Sequence, residues 1–333
     1  MPTFEPGPNA AFYVVLNAGS GHSETELRCS TISDVLKEAG RTCHLEIVDD
    51  PQQLGDIARR MARQAKETGG VLVAAGGDGT INTVAHQAVL QGCLFGVLPQ
   101  GTFNYFGRTH GIPEDLAEAV RALVSSRVTP VQVGVINDRI FLVNASVGLY
   151  PELLEAREND KRQYGRSRIV AILSALKTAL GRHRPLRITL ETEGIVRKLR
   201  TATLFVGNNR LQMEQVGMEP LGVALEEGEL AAIAPRRVGK FGMLGLLLRG
   251  ALGRLGDADN VLAFSFKRLV VRHARLSPRR TIKVATDGEV TRMRMPLEFR
   301  VLEGRLALLK SPDAAHDSRD SGDSGDSRDA SAA

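Results

Sequence analysis

The chain has 333 residues, of which 43% are hydrophobic and 24% are charged, and its formal net charge is +5. This length is sufficient for two domains, and the composition is typical of a soluble globular protein. The sequence has no apolar run near the ~18 residues of a membrane-spanning helix and no secretory leader, so we expect a cytoplasmic protein.

Strand-like and helix-like patterns alternate over the first 130 residues or so of the chain. Such alternation predicts an α/β domain with a doubly wound, mostly parallel sheet and helices on both faces. The predicted strands are 11–17, 42–48, 70–75 and 93–98, and the predicted helices are 23–39, 51–67, 80–90 and 113–125.

After about residue 133, short β-rich stretches dominate and predict a second, antiparallel domain with inserted helices. A low-complexity acidic tail with six Asp and two Arg follows, and it lacks the apolar side chains needed for a core, so we expect disorder there. The predicted domain limits are 1–132, 133–296, 297–310 for terminal strands packing back on the body, and 311–333 for the tail. The predicted strands are 131–136, 140–147, 186–191, 196–206, 229–234, 261–272, 281–285 and 297–302, with helices at 167–180 and 240–252.

A glycine-rich turn follows the predicted strand at 70–75. Its sequence is Gly76-Gly77-Asp78-Gly79-Thr80, and a helix pattern begins directly after it. A strand, a glycine turn and a helix together place backbone N–H groups and a helix N-terminus around one phosphate. Asp78 would repel that phosphate, which favours either a Mg²⁺–nucleotide site or an Asp that holds a neighbouring donor in place. The turn therefore indicates phosphoryl transfer, the alternative being a glycine turn without a ligand.

Two further loops follow predicted parallel strands and have small or polar residues. Asn17 begins one of them, and the other runs from Pro99 to Asn104. Ligands of such sheets bind beyond the carboxyl ends of the strands, so we expect the three loops to line one site. The chain has no G-x-x-x-x-G-K-[ST] sequence, which excludes a Walker-type phosphate loop.

Together these motifs resemble the diacylglycerol kinase catalytic-domain family, which includes bacterial lipid kinases and is related to sphingosine, ceramide and, more distantly, NAD kinases. The resemblance spans residues 11–310. The Gly-Gly-Asp-Gly-Thr turn is shared with NAD kinases, whereas the Pro-x-Gly-Thr-x-Asn-x-Phe pattern and a late Asp-Gly-Glu favour the lipid branch. The motifs are Asn17-x-x-Ser20-Gly21, Gly76 to Thr80 with Asn82, Pro99-x-Gly101-Thr102-x-Asn104, Asn144 to Gly148, and Thr286-Asp287-Gly288-Glu289.

The resemblance implies an ATP-dependent, Mg²⁺-dependent lipid kinase, with ATP on the first domain and the lipid on the second. Asp287 would be the general base for the lipid hydroxyl, although an Asp-Gly pair between two strands also predicts a plain hairpin turn. The alternatives are a soluble-substrate kinase of the NAD kinase type, a sphingoid-base or ceramide kinase, or a nucleotide-sensing or lipid-carrying protein without catalysis. The implied ATP-binding residues are Asn17, Gly76, Gly77, Asp78, Gly79, Thr80, Asn82, Thr83, Gly101, Thr102 and Asn104.

The chain departs from the family pattern at two positions. The family often has Asp where Tyr105 stands, so Mg²⁺ or the acceptor would be held differently here. Some bacterial members bind a structural Mg²⁺ through an Asp-Gly turn, and Glu227 replaces that Asp. A longer carboxylate can still ligate Mg²⁺, so Glu227 is a candidate metal ligand, and Asp78 is another through the nucleotide's Mg²⁺.

Two basic segments with apolar centres are candidates for peripheral contact with a membrane surface at its inner face. They are 161–187 and 236–249, and the alternative for both is an ordinary domain helix with solvated arginines. The chain has no Trp and no nucleic-acid recognition motif, so we do not expect a nucleic-acid partner. A homodimer remains open.

Overall fold

The computed structural model describes residues 7, 9–18, 22–152, 154, 185–236, 240–273 and 281–311. The predicted helix at 167–180 and the tail from residue 312 onwards lie outside these residues. The α-helices whose bounds are described are α1 His22–Glu38, α2 Leu54–Thr68, α3 Asp78–Gln91, α4 Tyr105–Thr109, α5 Leu116–Val124, α6 Arg210–Gln215, α7 Glu219–Glu226 and α8 Lys240–Ala251. A 3-10 helix, Pro51–Gln53, precedes α2, and a further helical segment begins at residue 149.

The strands of the described residues form two sheets. The ten-stranded mixed sheet has the order β2-β1-β3-β4-β16-β13-β8-β9, with β5 paired to β16 and β6 paired to β5, and the antiparallel sheet has the order β12-β11-β10-β7-β14-β15. The strands are β1 Phe12–Asn17, β2 Cys43–Val48, β3 Val71–Gly76, β4 Leu94–Pro99, β5 Arg127–Ile136, β6 Arg139–Phe141, β7 Asn144–Gly148, β8 Leu186–Thr192, β9 Ile195–Thr201, β10 Thr203–Gly207, β11 Leu230–Pro235, β12 Val261–Phe266, β13 Arg268–His273, β14 Thr281–Thr286, β15 Glu289–Arg294 and β16 Leu297–Lys310.

The N-terminal lobe is the predicted α/β unit. Strands β1 to β4 are mutually parallel, and β3 and β4 are buried along their whole length because helices cover both faces. α2 and α3 share a core with one face of the sheet, and α1 and α5 share a core with the other. The prediction of a doubly wound parallel sheet is therefore confirmed, and each predicted element of this lobe exists within a few residues of its expected bounds.

The second lobe is a sandwich of the antiparallel sheet against the far end of the mixed sheet. Apolar residues of β8, β13 and β16 pack against those of β7, β10, β11 and β14 in one core. This arrangement confirms the predicted antiparallel, β-rich second unit with helices. Three short helices, α4, α6 and α7, were absent from the sequence prediction.

Three predicted strands were wrong as single strands. The stretch 196–206 is β9 and β10, and 261–272 is β12 and β13, with each pair divided between the two sheets. The chain crosses from one sheet to the other at Ala202 and at Lys267, and an unbroken β-rich pattern hides such a crossing because both sheets share one core. The stretch 140–147 is β6 and β7.

One long strand connects the two lobes. β16 runs antiparallel to β5 along nearly its whole length, and at Leu308 it also pairs in parallel with Phe95 of β4. β5 extends across the predicted boundary at 132/133, so the domain limits stay a prediction. Among the described residues, no helix has the length and apolar character needed to cross a bilayer.

Candidate functional site

The three predicted loops meet at the carboxyl edge of the parallel strands. Asn17, at the end of β1, donates from its amide nitrogen to Oγ1 of Thr80 over 2.9 Å. The backbone N–H of Gln100, after β4, donates to the carbonyl oxygen of Gly76 over 2.8 Å. The ends of β1, β3 and β4 are therefore joined around the N-terminus of α3.

The first turn of α3 is an open cradle of backbone N–H groups. α3 begins at Asp78, and its N-cap residue Gly77 provides no side-chain cap. The first N–H groups of a helix have no partner within the helix and carry the positive end of its dipole, so they can hold an anion such as a phosphate. A Cβ on Gly101 would lie 2.9 Å from the Cα of Gly77, so the neighbouring loop approaches this turn as closely as glycine allows.

Asp78 is directed to the adjacent helix. Its two carboxylate oxygens accept the backbone N–H groups of Tyr105 and Phe106, each over 3.4 Å, at the N-terminus of α4. Burial raises the pKa of Asp78, and these backbone donors oppose that rise. Of the two predicted roles for Asp78, the holding of neighbouring donors matches this geometry.

The loop after β4 is closed by Asn104. This residue is buried, has a φ of 47°, and accepts the N–H of Gly101 on its Oδ1 over 2.7 Å. Asparagine tolerates this left-handed conformation better than most residues. Its side-chain oxygen therefore shapes the loop, whereas Thr102 at the tip of the loop is exposed to solvent.

Asp287 lies in a two-residue turn between β14 and β15. Thr286 pairs with Glu289 across the hairpin, and both turn residues have positive φ, 46° for Asp287 and 91° for Gly288. These values are those of a type I′ turn, so the Asp-Gly hairpin prediction is confirmed. Asp287 is nevertheless only 7% exposed, since the turn is inserted between the two lobes.

The carboxylate of Asp287 accepts four hydrogen bonds. Oδ1 accepts the backbone N–H groups of Val143 and Asn144 over 2.9 and 2.8 Å, and Oδ2 accepts the N–H of Leu142 over 2.6 Å and Nδ2 of Asn82 over 2.5 Å. A carboxylate has about four lone-pair positions, so all of them are filled. Burial raises the pKa of Asp287 to about 6, against the opposing effect of these donors. The four hydrogen bonds tie the hairpin to both lobes.

A second carboxylate, Glu289, lies on the same turn and above α3. A Cβ on Gly79 would lie 3.5 Å from Oε1 of Glu289. Glu289 reaches solvent, but the surrounding protein atoms partly desolvate its carboxylate and raise its pKa, and both the charge of Arg139 and a hydrogen bond with Thr83 oppose the rise. The sequence prediction included Glu289 in a motif but gave it no role, although its place beside a two-residue turn brings it to the same edge as Asp287.

Two predicted ATP contacts, Asn82 and Thr83, face this turn. Asn82 donates to Asp287 and also to the carbonyl oxygen of Ile140 over 3.3 Å. The hydroxyl of Thr83 has one proton, which it can donate either to the carboxylate of Glu289 or to the carbonyl oxygen of Gly79 over 3.1 Å. The second turn of α3 is thus where the phosphate cradle meets the carboxylates.

Tyr105, which replaces the family Asp, links the loop after β4 to the second lobe. Its hydroxyl pairs with Oε1 of Gln215 over 3.0 Å, and its ring stacks on that of Phe103 with centroids 5.7 Å apart. Asn209, only 2% exposed, donates to the carbonyl oxygen of Tyr105 and to Oγ1 of Thr109. The sequence prediction missed Asn209, and its only local signal is its position as the N-cap of α6.

The remaining predicted sites are the metal ligand Glu227 and the two basic segments. Glu227 is exposed at the end of α7, and the described part of the chain has no group of three His, Cys, Asp or Glu side chains able to hold a metal. The basic segment 161–187 lies almost entirely outside the described residues. In the segment 236–249, Leu246 of α8 is buried whereas Leu248 is 57% exposed, so this helix turns apolar side chains both inward and outward.

Comparison with known proteins agrees with the predicted resemblance. Residues 11–136 match the model of the diacylglycerol kinase catalytic domain. The chain is 33% identical to the "probable lipid kinase YegS-like" protein of Klebsiella pneumoniae over 140 residues, 41% of this chain and 45% of that protein. It is 31% identical to a diacylglycerol kinase of Staphylococcus saprophyticus over 137 residues, 40% of this chain and 44% of that protein. The matches thus span less than half the length of these curated relatives.

The fold comparison covers more of the chain. The crystal structure of a diacylglycerol kinase from Bacillus anthracis aligns with 92% of this chain and 98% of its own, with a TM-score of 0.64 and 17% sequence identity. At that identity the likeness concerns the fold alone. The two-lobed architecture is therefore shared, and the predicted family resemblance is confirmed.

Proposed function

We propose that the chain is an ATP-dependent lipid kinase of the diacylglycerol kinase catalytic-domain family, whose model matches residues 11–136. It would transfer the γ-phosphate of ATP to a hydroxyl group of diacylglycerol or a related lipid, with Mg²⁺. Family membership supports the reaction class, and the arrangement of the two lobes supports the division of labour described below.

The observation that carries the proposal is the contact of the Asp287 turn with α3. Asn82 of the first lobe donates to Asp287 of the second over 2.5 Å, and Glu289 lies next to Gly79. A phosphate cradle and a pair of carboxylates therefore meet at the boundary of the lobes. Phosphoryl transfer to a hydroxyl needs that combination, because alignment and a proton acceptor are most of what the protein supplies.

The phosphates of ATP would bind at the N-terminal turn of α3. The N–H groups of residues 78–80, in the first turn of α3, would hold the anion, Asn17 donates to Thr80, and exposed Thr102 would contact the nucleotide from the neighbouring loop. Mg²⁺ in such sites is held by one or two carboxylates together with the phosphates, and Glu289 and Asp78 are the carboxylates at this turn. When bound, Mg²⁺ would neutralise charge that develops on the phosphates.

The proton acceptor would come from the Asp287–Glu289 turn. Asp287 is the predicted base, and its pKa of about 6 suits a base at neutral pH. However, its four acceptor positions are filled, so a substrate hydroxyl must displace one donor before Asp287 can accept a proton. Glu289 has a hydrogen bond with Thr83 and an exposed side chain, and it competes for the same role.

The test is a transfer assay with γ-labelled ATP and the full chain. We expect label in a lipid phosphate when a total lipid extract is supplied, and none in NADP when NAD is supplied. Label in NADP alone would support a soluble-substrate kinase instead, and label in a sphingoid base or ceramide would reassign the acceptor. No transfer to any acceptor in the presence of Mg²⁺ would contradict the proposal.

Two variants then separate the carboxylates. Asp287→Asn is expected to abolish turnover while ATP still binds, and wild-type turnover in this variant would refute its role as base. Glu289→Gln is the matched control, because it neutralises the other carboxylate on the same turn. A loss of turnover in Glu289→Gln that equals the loss in Asp287→Asn would assign the proton transfer to the pair rather than to Asp287 alone.

A further inference from the structure

The antiparallel end of the mixed sheet has two unlike faces. One face packs on the antiparallel sheet through side chains such as Ile188 and Leu190 of β8 and Leu269 and Val271 of β13. Successive residues of a strand point to opposite faces, so their neighbours along each strand form the other face. In the described part of the chain, that second face is rich in basic side chains.

The strand register shows which residues share the second face. Arg187 pairs with Arg200 and Thr189 with Lys198 across β8 and β9, Thr189 pairs with Arg272 across β8 and β13, and Arg268 pairs with Arg300 across β13 and β16. Cross-strand partners point to the same side of a sheet. We call this surface the basic sheet face, and its basic residues are Arg187, Lys198, Arg200, Arg268, Arg272 and Arg300.

Positive charge dominates the basic sheet face. Its acidic residues are Glu191 and Glu298, which form ion pairs with Arg272 and Arg268 respectively. Two arginine pairs, Arg187 with Arg200 and Arg268 with Arg300, stand directly opposite each other across strands. Like charges in that position repel each other, and among these four arginines Arg268 has Glu298 as an acidic partner.

We propose that the basic sheet face docks the protein on an anionic lipid surface. The choice of a lipid as the partner rests on the proposed function, since a lipid kinase must meet its acceptor where the lipid is, at the bilayer surface. Strands of one sheet present their cations in one broad layer, which fits the planar charge of a bilayer. Each basic residue near such a surface contributes a factor of about five in affinity.

Exposed apolar side chains at one edge of this face favour a bilayer over a nucleic acid. Val196, on the basic sheet face, is 62% exposed, and Ile195 beside it is 51% exposed, both after the Glu193-Gly194 turn. Apolar side chains next to cations suit the headgroup and acyl boundary of a membrane. The face has no aromatic side chain on which a base could stack.

The basic sheet face lies on the same side of the mixed sheet as the candidate site. Arg300 of β16 pairs with Val135 of β5, and Val135 packs in one core with Ile81 and Val84 of α3. α3 carries the phosphate cradle at its N-terminus. Docking through the basic sheet face would therefore bring the bilayer to the side of the sheet from which α3 projects.

Vesicle sedimentation with the full chain tests the proposal without ATP. Arg187 and Lys198 are exposed and belong to neither the phosphate cradle nor the carboxylate turn, so the variant R187E/K198E alters the face alone. The matched control is K37E/R121E, which makes the same charge change on the exposed sides of α1 and α5, on the opposite face of the mixed sheet. Circular dichroism melts confirm that both variants fold.

With phosphatidylcholine vesicles that contain phosphatidylglycerol, R187E/K198E is expected to bind about thirtyfold more weakly than the wild type. K37E/R121E is expected to bind within about threefold of the wild type, and neither variant is expected to bind pure phosphatidylcholine. Equal losses in both variants, or an unchanged affinity of R187E/K198E, would overturn the proposal. Tighter binding of the wild type to a DNA or RNA oligonucleotide than to anionic vesicles would overturn it as well.

A second readout separates docking from catalysis. With a short-chain diacylglycerol that stays monomeric in water, R187E/K198E is expected to keep wild-type turnover, whereas with diacylglycerol in anionic vesicles its turnover falls in step with binding. A loss on the monomeric acceptor as well would reject a docking role. If the wild type phosphorylates no lipid in either form but binds anionic vesicles through this face, the proposed function fails and the docking surface stands.

Discussion

Replacing Asp287 by asparagine tests whether this carboxylate holds the two lobes together. The side chain keeps its size and loses only its charge and one acceptor oxygen. In the wild-type protein, two donors bind each oxygen of Asp287, three of them backbone N–H groups of residues 142–144 and the fourth the amide of Asn82. A fall in stability is therefore expected from hydrogen bonding alone.

The magnitude follows from which donors lose their acceptor. The NH₂ group of asparagine must replace one oxygen, and the cheaper choice places it opposite Leu142 and Asn82, because the amide of Asn82 can rotate. The backbone N–H of Leu142 then has no acceptor, at a cost of about 1–3 kcal/mol, and the remaining bonds lose their charge assistance. We expect the free energy of unfolding to fall by about 2–4 kcal/mol, against the ~5–15 kcal/mol of an ordinary domain.

The assay is urea unfolding followed by far-ultraviolet circular dichroism, since the chain has no Trp. Glu289→Gln is the control, because it removes a charge from an exposed side chain on the same turn and is expected to change stability by less than about 0.5 kcal/mol. An effect of Asp287→Asn below about 0.5 kcal/mol, or one equal to that of Glu289→Gln, would refute the reasoning from the four hydrogen bonds.

Three further predictions concern activity and loop packing. The pKa of Asp287 is about 6 and only its ionised form can accept a proton, so kcat/KM should fall as pH drops through about 6 and stay level above that pH. The Glu289→Gln variant should show the same fall at low pH. A wild-type profile that stays flat down to pH 5 would contradict the role of Asp287 as base. Gly101→Ala should weaken ATP binding at least tenfold in calorimetry, because the new Cβ would lie 2.9 Å from the backbone of Gly77. The control Gly79→Ala places its Cβ no closer than 3.5 Å to any atom, and its free energy of unfolding should stay within about 1 kcal/mol of the wild-type value. Equal ATP affinity of Gly101→Ala and the wild type would refute the close approach of the two loops. Tyr105→Phe should lower the free energy of unfolding by about 1 kcal/mol, because it removes the hydrogen bond to Gln215 of α6. No change in urea unfolding would show that this hydrogen bond adds no net stability over hydration of the hydroxyl by water.

The N-terminal lobe was predictable because its strands are buried on both faces. β3 and β4 lie between two layers of helices, so they read as continuous apolar runs that end in glycine or proline. The second lobe was predictable only as a class. β9 and β10 belong to different sheets over one core, and a local pattern has no signal for the change of sheet at Ala202.

The candidate site divides in the same way. The loops at Asn17, Gly77 and Gly101 follow parallel strands, and topology alone brings them to one edge. The contact between Asn82 and Asp287 joins residues 205 positions apart, and it depends on how the hairpin is inserted between the lobes. Local sequence predicts the Asp-Gly turn but carries no information on the four donors that surround it.

The roles of the site's carboxylates follow from where their charges are balanced. Asp78, the acidic residue within the phosphate cradle, faces the N-terminus of α4, where backbone N–H groups and the helix dipole stabilise a negative charge. Asp287 is likewise surrounded by donors. Glu289 has one hydrogen bond with Thr83 and the more distant charge of Arg139, and it faces the turn where phosphates would bind. The carboxylate of Glu289 and a phosphate bound at this turn would repel each other unless a cation lay between them. Glu289 is therefore the residue through which a Mg²⁺ requirement would act. If the requirement acts there, Glu289→Gln should raise the Mg²⁺ concentration needed for half-maximal turnover.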